Sequence, residues 1–252
     1  MVKSIKKYVF RSYLYVISTI ILGFFLLAVS NVVANNPPKN RNYSIYIYGE
    51  THGEEAISDK ELEIWYDFYH KKEMRHLFIE AAYFDAEILN LWMKDDDDYY
   101  LDKLFKEWEG TYSDNDVTRN FYVQIKKNCP ETIFHGTDIG HQYDTIGEFY
   151  LEYLENNGLK NSEKYRLTLE SIEQGRQFYS GQGNIMKYRE DKMVENFIRE
   201  YDKLDGEKIM GIYGSAHLKK DILAILFGIT PMTDQLKKHY GNIIYAKRLD
   251  KI

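Results

Sequence analysis

The sequence has a single cysteine, and its first 41 residues contain no acidic side chain. Because Cys129 stands alone, it cannot form an intramolecular disulfide, and we expect it to be a small buried apolar residue. No cysteine follows the apolar N-terminal run, which excludes a lipid-anchored lipoprotein. No internal repeat of fixed period is present either, so a repeat architecture is not expected.

Basic side chains form no stripe with interleaved aromatic residues anywhere in the chain. Residues 1–41 carry six basic side chains, which leaves 27 basic against 39 acidic groups in the remainder and a net charge of −12 there. A body this acidic repels phosphate backbones. We therefore expect no nucleic-acid partner.

The N-terminus contains a long uncharged run, from Ser12 to Ala34. Its length matches the ~20 apolar residues that cross a bilayer as a helix. Basic residues before the run favour a cytoplasmic N-terminus and place the rest of the chain outside. We expect residues 1–34 to be a membrane anchor or signal segment and residues 35–42 a linker. A single-pass membrane protein with an extracytoplasmic domain is one outcome; signal cleavage after Val32-Val33-Ala34, and hence secretion, is the other.

After the linker, short strand-like runs alternate with helical patterns. The strands are predicted at residues 43–48, 76–81, 132–135, 208–213 and 243–246. Strands joined through helices pair in parallel. We therefore expect residues 43–252 to be one α/β domain, with a mostly parallel central sheet flanked by helices and a helical insertion in the middle. The first helix is expected to start at Ser58, since Ser58 and Glu61 have the form of a capping box.

Charged and imidazole side chains directly follow four of the predicted strands. They are Glu50, His52, Glu80, Asp138 and His217. The carboxyl ends of parallel strands gather at one edge of a sheet, so we expect these side chains to converge there. The two histidines stand in Gly-x-x-His motifs, whose glycine permits a sharp turn and a close approach of ligand to backbone. A histidine titrates near neutral pH and can take a proton or hold a metal, while a carboxylate orients it or activates water.

A further group of residues shares one face of a predicted helix. Arg189, Met193 and Asn196 are spaced at i, i+4 and i+7. Arginine at this place can fix a substrate carboxylate or phosphate or stabilise an oxyanion, and a salt bridge on the helix surface is the structural alternative. For the remaining histidines we expect structural roles; they are His70, His76, His135, His141 and His239.

The order of these motifs resembles the superfamily that joins erythromycin-esterase-like proteins, ChaN-like haem-binding lipoproteins and TraB/Tiki-type proteases. The resemblance spans the body from about Tyr43 to the end. It rests on Gly49-Glu50-Thr51-His52, Glu80 in Phe-Ile-Glu-Ala, Gly136-Thr137-Asp138, the Arg-x-x-x-Met-x-x-Asn segment at 189–196, and Gly214-Ser215-Ala216-His217. The resemblance implies that Glu50, His52, Glu80 and His217 form the core of the site, and its helix segment adds Arg189. Family members differ in activity on this shared scaffold.

Two functions remain open for such a site. The first is an extracytoplasmic hydrolase acting on an ester or amide of a small-molecule or peptide substrate, with His52 or Glu50 as general base and His217 and Arg189 stabilising the oxyanion. The expected catalytic residues are Glu50, His52, Glu80, Arg189 and His217, and the expected substrate-binding residues are Asp138 and Asn196. A divalent metal held by His52, His217 and Glu80 is an open variant. The second function is haem or iron binding through a histidine or tyrosine; an immunity or interaction protein is least favoured.

Overall fold

Five strands form the central sheet. They are β1 (Ile45–Glu50), β2 (His76–Ala82), β3 (Ile133–Asp138), β4 (Ile209–Gly214) and β5 (Ile244–Arg248). Their order across the sheet is β3-β2-β4-β1-β5, and all neighbouring strands are parallel. Each strand overlaps its predicted range, so the expected α/β architecture with a parallel sheet is confirmed.

Helices connect the strands and flank the sheet. They are α1 (Glu55–Lys72), α2 (Tyr83–Trp92), α3 (Tyr99–Glu107), α4 (Asp116–Asn128), α5 (Ile146–Asn156), α6 (Glu163–Tyr179), α7 (Ile185–Asp202), α8 (Ile222–Leu226) and α9 (Met232–Tyr240). Turns of 3₁₀ helix lie at Ser215–Leu218 and Gly241–Ile243. The middle of the chain is therefore helical, as the sequence predicts, with β3 between α4 and α5.

Alternate residues of β1 pack into cores on opposite faces of the sheet. Ile45 and Ile47 belong to the core that includes residues of α7 and α9, whereas Tyr46 and Tyr48 belong to the core that includes α1 and α2. Burial on both faces is typical of parallel sheets. Full burial of a side chain such as Ile47 contributes roughly 1.5–3 kcal/mol. This packing fixes the strand ends from which the site is built.

The start of α1 differs from the sequence prediction. The helix begins at Glu55, its N-cap Glu54 makes no side-chain capping hydrogen bond, and Ser58 lies inside the first turns. Glu61 points inward and is 5% exposed. The predicted capping box was therefore wrong, because Glu61 is part of the interior. Burial raises the pKa of its carboxyl well above the usual value.

The computed structural model describes residues 42–219 and 222–250. The predicted N-terminal anchor or signal segment, residues 1–34, and nearly all of the linker lie outside these ranges. Within them, no helix combines the length and apolar character needed to cross a bilayer. Cys129 is buried as expected, and burial raises the pKa of its thiol to about 12, which leaves it unreactive.

Candidate active site

The two Gly-x-x-His motifs leave neighbouring strands at the same edge of the sheet. In the β1–β4 register, Gly49 lies opposite Tyr213, and Glu50 lies opposite Gly214. A Cβ atom on Gly214 would lie 3.3 Å from both Glu80 Oε2 and His52 Nε2. The φ angle of Gly214 is −53°, an ordinary value, so the turn from β4 into the 3₁₀ helix at Ser215 does not itself require glycine. The glycine is required instead because two functional side chains crowd against its backbone.

A cleft of about 1030 Å³ opens at this edge of the sheet. It brings together six of the seven residues predicted to be catalytic or substrate-binding. They are Glu50, His52, Glu80, Asp138, Arg189 and His217. The cleft therefore supplies the solvent-accessible space that a site built on these residues requires.

Glu80 lies at the centre of the cluster. Arg189 Nη2 and His217 Nε2 donate to its Oε1 at 2.6 and 3.2 Å, and the Gly214 N–H donates to its Oε2 at 2.6 Å. The register of β2 against β3 shifts between Ile79 and Ala82, a local irregularity of the kind that re-aims a side chain. Burial raises the pKa of Glu80, but His217 and Arg189 lower it more, to about 2. Glu80 is consequently ionised at neutral pH.

His217 is held between two carboxylates. Its Nδ1 donates to Glu190 Oε2 at 2.7 Å, and its Nε2 donates to Glu80. Glu190 also accepts a hydrogen bond from the Met232 N–H. Burial lowers the pKa of His217, but Glu80 and Glu190 raise it to about 10. The side chain is therefore a buried imidazolium at neutral pH, with both N–H groups engaged.

His52 is more accessible than His217 and has one carboxylate partner. Its Nδ1 donates to Glu50 Oε1, and its side chain is 40% exposed. The hydrogen bond to Glu50 raises the pKa of His52, and burial partly opposes that effect. Tyr112 stacks on the imidazole, with ring centroids 6.1 Å apart. Since Nε2 bonds to none of the described residues and faces the cleft, it is free to exchange a proton with a ligand or water.

Arg189 makes a buried fork, not the surface salt bridge that was the structural alternative. Its Nε and Nη2 donate to Asp138 at 3.0 and 2.5 Å, and its side chain is 18% exposed. Asp138 also accepts from His141 Nε2 at 3.2 Å and from the Ile139 N–H at 2.8 Å. Asp138 therefore positions Arg189, and its predicted contact with substrate stays a prediction. Within the described ranges, Arg189 Nη1 makes no hydrogen bond and is free to donate.

Asn196 is the predicted site residue that does not line the cleft. It is buried, and its amide donates to the Thr137 carbonyl at 3.1 Å and to Gln174 Oε1 at 2.9 Å. Gln174 in turn donates to Asn196 Oδ1. Asn196 follows Arg189 by about two turns of α7, and its side chain supports the end of β3. Its predicted role in substrate binding stays a prediction.

Several cleft residues escaped the sequence analysis. Asp85, Trp108, Tyr112, Tyr122 and Tyr179 lie in helices or in the turns that follow them, whereas Arg248 and Asp250 lie at the end of β5, a strand from which no site residue was predicted. His141, for which a structural role was expected, lines the cleft as well and accepts from the Tyr179 hydroxyl at 2.7 Å. Its position three residues after Asp138 was the one signal that pointed to it.

The proposed metal ligands His52, His217 and Glu80 do not fit a three-ligand site in this arrangement. Across the described ranges, no three His, Cys, Asp or Glu side chains are placed to hold a metal ion. A ligating histidine must be neutral, whereas the pKa of His217 is about 10. For haem, His52 Nε2 is a suitable axial donor in a large cleft, while burial raises the pKa of Tyr179 and opposes its tyrosinate form.

Comparison with known proteins supports the fold. No family model and no curated protein matches the sequence. Three solved structures are similar: a Bacillus cereus protein (15% identity, TM-score 0.57, covering 82% of this chain and 66% of that one), a mutant of the erythromycin esterase EreC in its open conformation (13%, 0.57, 82% and 69%) and a succinoglycan biosynthesis protein (14%, 0.60, 81% and 65%).

This chain spans about two thirds of the length of these three proteins. At such identities a structural likeness establishes the fold and leaves activity open. The relation that the motifs indicate is therefore confirmed at the level of architecture. The described body of the chain has the fold of erythromycin esterase EreC.

Proposed function

We propose that the chain is a hydrolase that cleaves an ester or amide bond of a small-molecule or peptide substrate bound in the cleft. The Glu50–His52 pair carries this proposal: the carboxylate holds Nδ1, and Nε2 faces the cleft. A carboxylate-oriented histidine is suited to general-base catalysis. In the proposed reaction His52 Nε2 takes a proton from water as the water oxygen attacks the carbonyl carbon. The same nitrogen then returns the proton to the leaving oxygen or nitrogen as its bond to carbon breaks.

Arg189 supplies the electrophilic side of the proposed site. Its guanidinium is fixed by Asp138 and Glu80, so the N–H groups of Nη1 are oriented before a substrate arrives. Such preorganised donors stabilise the negative charge that develops on a carbonyl oxygen. His217 contributes positive charge, but its two N–H groups are already bonded to carboxylates. In this proposal Arg189 contacts the oxyanion, and His217 and Glu80 hold it in place.

Hydrolysis of a broad ester and peptide panel by the purified full chain tests this function. We expect His52→Ala to lower kcat by about 10²–10⁴-fold, the usual range for a lost general base. His70→Ala is the matched control, because His70 is exposed and does not line the cleft. Absence of hydrolysis by the wild type across the panel, or equal rates for wild type and His52→Ala, would contradict the proposal.

The proposed hydrolase acts outside the cytoplasm, either tethered to the membrane or secreted. The support is the uncharged run from Ser12 to Ala34 together with the basic residues that precede it. Protease added to intact cells should degrade a C-terminally tagged chain while a cytoplasmic marker survives. Protection of the tag until the cells are lysed would place the domain inside.

Haem binding is the second candidate, supported by the free His52 Nε2 in a cleft of about 1030 Å³. Haemin titration distinguishes the two functions. A binder would produce a Soret shift that His52→Ala abolishes and that His70→Ala preserves. No shift, or one that His52→Ala leaves unchanged, would remove this candidate and leave the hydrolase proposal untouched.

A further inference from the structure

Asp85 in α2 is a buried carboxyl that lines the cleft without a cationic partner. It is 2% exposed, and its Oδ2 accepts from the Ala82 N–H at 3.3 Å. Its Oδ1 has no hydrogen-bond partner in the described part of the chain. The other carboxyls lining the cleft are each paired with a cationic or imidazole group; they are Glu50, Glu80, Asp138 and Asp250. A residue that lines the cleft thus keeps one buried oxygen without a partner among the described residues, and a ligand group that reaches it would satisfy it.

The arginines of the cleft are already committed to partners within the protein. Arg189 pairs with Asp138 and Glu80, and Arg248 pairs with Asp250 at 2.5 Å. Their charges are therefore balanced within the protein, and Arg189 offers a ligand only the N–H groups of Nη1. A cationic group placed beside Asp85 completes the charge balance without breaking an existing pair. A neutral hydroxyl would bond to Oδ1 but would leave the charge uncompensated.

The side chains around Asp85 suit an ammonium group. Trp108 and Tyr122 also line the cleft, with ring centroids 6.3 Å apart. Burial raises the pKa of Asp85 to about 7, while the Ala82 N–H, His141 and Trp108 act in the opposite direction. A carboxylate flanked by aromatic rings is the combination that recognises protonated amines, since the rings attract the cation and pack against its alkyl groups.

We propose that Asp85, Trp108 and Tyr122 form a subsite for a protonated amine, so that the ligand of the cleft carries a basic nitrogen. The ammonium N–H donates to Asp85 Oδ1, and the alkyl substituents of the nitrogen pack on the two rings. This inference rests on the proposed function to the extent that it places the substrate in the same cleft.

Two benzoate esters of the same shape provide the test: 2-(dimethylamino)ethyl benzoate and its carbon isostere, 3-methylbutyl benzoate. Calorimetric titration of the full chain at about pH 8, where the Asp85 carboxyl is ionised and the amine remains mainly protonated, measures Kd for each. We expect the amine ester to bind about tenfold more tightly, the scale of a desolvated ion pair aided by aromatic rings. Asp85→Asn should abolish the difference while keeping an acceptor for the Ala82 N–H.

Glu61→Gln is the matched control, because Glu61 is likewise buried with an unpaired oxygen but lies in a neighbouring small pocket and not in the cleft. It should retain the preference for the amine. Equal Kd values for the two esters in the wild type, or a preference that survives in Asp85→Asn, would overturn the subsite. Because Kd and hydrolysis are measured separately, amine preference without hydrolysis would reject only the hydrolase. Hydrolysis of both esters with equal Kd would reject only the subsite.

A second measurement needs no variant. At about pH 7 the wild type should release up to about half a proton on binding the amine ester and none on binding the isostere, since the ammonium favours ionised Asp85. The proton count comes from calorimetry in two buffers of different ionisation enthalpy. The titratable groups facing Asp85 are His141, Asp138 and Tyr122. Equal proton release for the two esters would contradict the proposal, since the isostere has no charge to act on Asp85.

Discussion

The two Gly-x-x-His motifs place histidines of different character at one edge of the sheet. His52 is 40% exposed and has one carboxylate partner, whereas the His217 side chain is 9% exposed and has two. Burial lowers the pKa of His217, yet its carboxylates raise it to about 10. His52 keeps a free Nε2 in the cleft. The same four-residue pattern thus yields one histidine suited to proton exchange and one that remains cationic.

The difference arises from what covers each motif. Helix α7 brings Glu190 onto His217 and Arg189 onto Glu80, so the second motif is enclosed by ionised groups. The residues that follow Glu50 in the first motif are exposed at Thr51 and beyond. The shared Gly-x-x-His pattern therefore does not fix the protonation state of its histidine, which depends on the carboxylates packed against it.

Removal of each imidazole should separate the two roles most strongly. His217→Ala leaves the carboxylates of Glu80 and Glu190 buried without the charge between them, and we expect a loss of about 3–5 kcal/mol in the free energy of unfolding. His52→Ala removes a half-exposed pair worth about 0–1 kcal/mol. Urea denaturation of both variants measures the difference, and similar stabilities would show that the two histidines are not distinguished by burial.

Much of the fold was predictable because local patterns of apolar and polar residues indicate its strands and helices. Each strand is a short apolar run that ends near a glycine or a charged residue, and strand–helix–strand order forces parallel pairing. Parallel pairing alone was enough to predict that Glu50, His52, Glu80, Asp138 and His217 converge. Their convergence needs no knowledge of side-chain packing, because the carboxyl ends of parallel strands share an edge.

The positions of the other site residues depend on how the helices pack against the sheet. Glu190 follows Arg189 directly and therefore lies about 100° around the helix from it. The helical pattern that predicts Arg189 on the cleft side gives no reason to expect Glu190 in the interior. Asn196 was predicted on the correct face but reaches the support of β3 and not the cleft. Asp85 lies in α2, where nothing in the sequence separates an inward carboxyl from a solvated one. These placements follow from tertiary contacts alone.

A smaller change than removing His217 is to neutralise one of its partners. Glu190→Gln keeps a hydrogen-bond acceptor beside Nδ1 but removes one negative charge, so the pKa of His217 should fall. We expect a loss of about 1–3 kcal/mol in stability, the range for a weakened buried charged hydrogen bond. Asp191→Asn, at a more exposed position next along the helix, is the control and should have little effect. NMR titration of the His217 ring gives the pKa; an unchanged value would show that Glu190 does not set it.

The pH dependence of stability should carry the signature of the second motif. The pKa of His217 is raised from 6.5 to about 10, so its contribution is complete below pH 6.5 and is lost as pH rises through about 10. The pKa of Glu80 is lowered from 4.5 to about 2, so its contribution is complete above pH 4.5 and is lost as pH falls through about 2. Urea midpoints across this range should fall toward both extremes. His217→Asn should flatten the alkaline side, and an unchanged alkaline slope would argue against the imidazolium.

The smallest expected effect is that of removing divalent metals. His217 has no lone pair available while it is protonated, and both Glu80 oxygens accept charged or backbone hydrogen bonds. Since the proposed mechanism uses His52 and not a metal-bound water as the base, we expect dialysis against a chelator to leave kcat and the urea unfolding midpoint unchanged. Elemental analysis before and after dialysis, repeated on His217→Ala, decides the matter. A stoichiometric metal that disappears with His217, together with activity lost on chelation and restored by one divalent ion, would mean that His217 gives up its protons to a metal. The two motifs would then act as one ligand set and not as a base paired with a fixed cation.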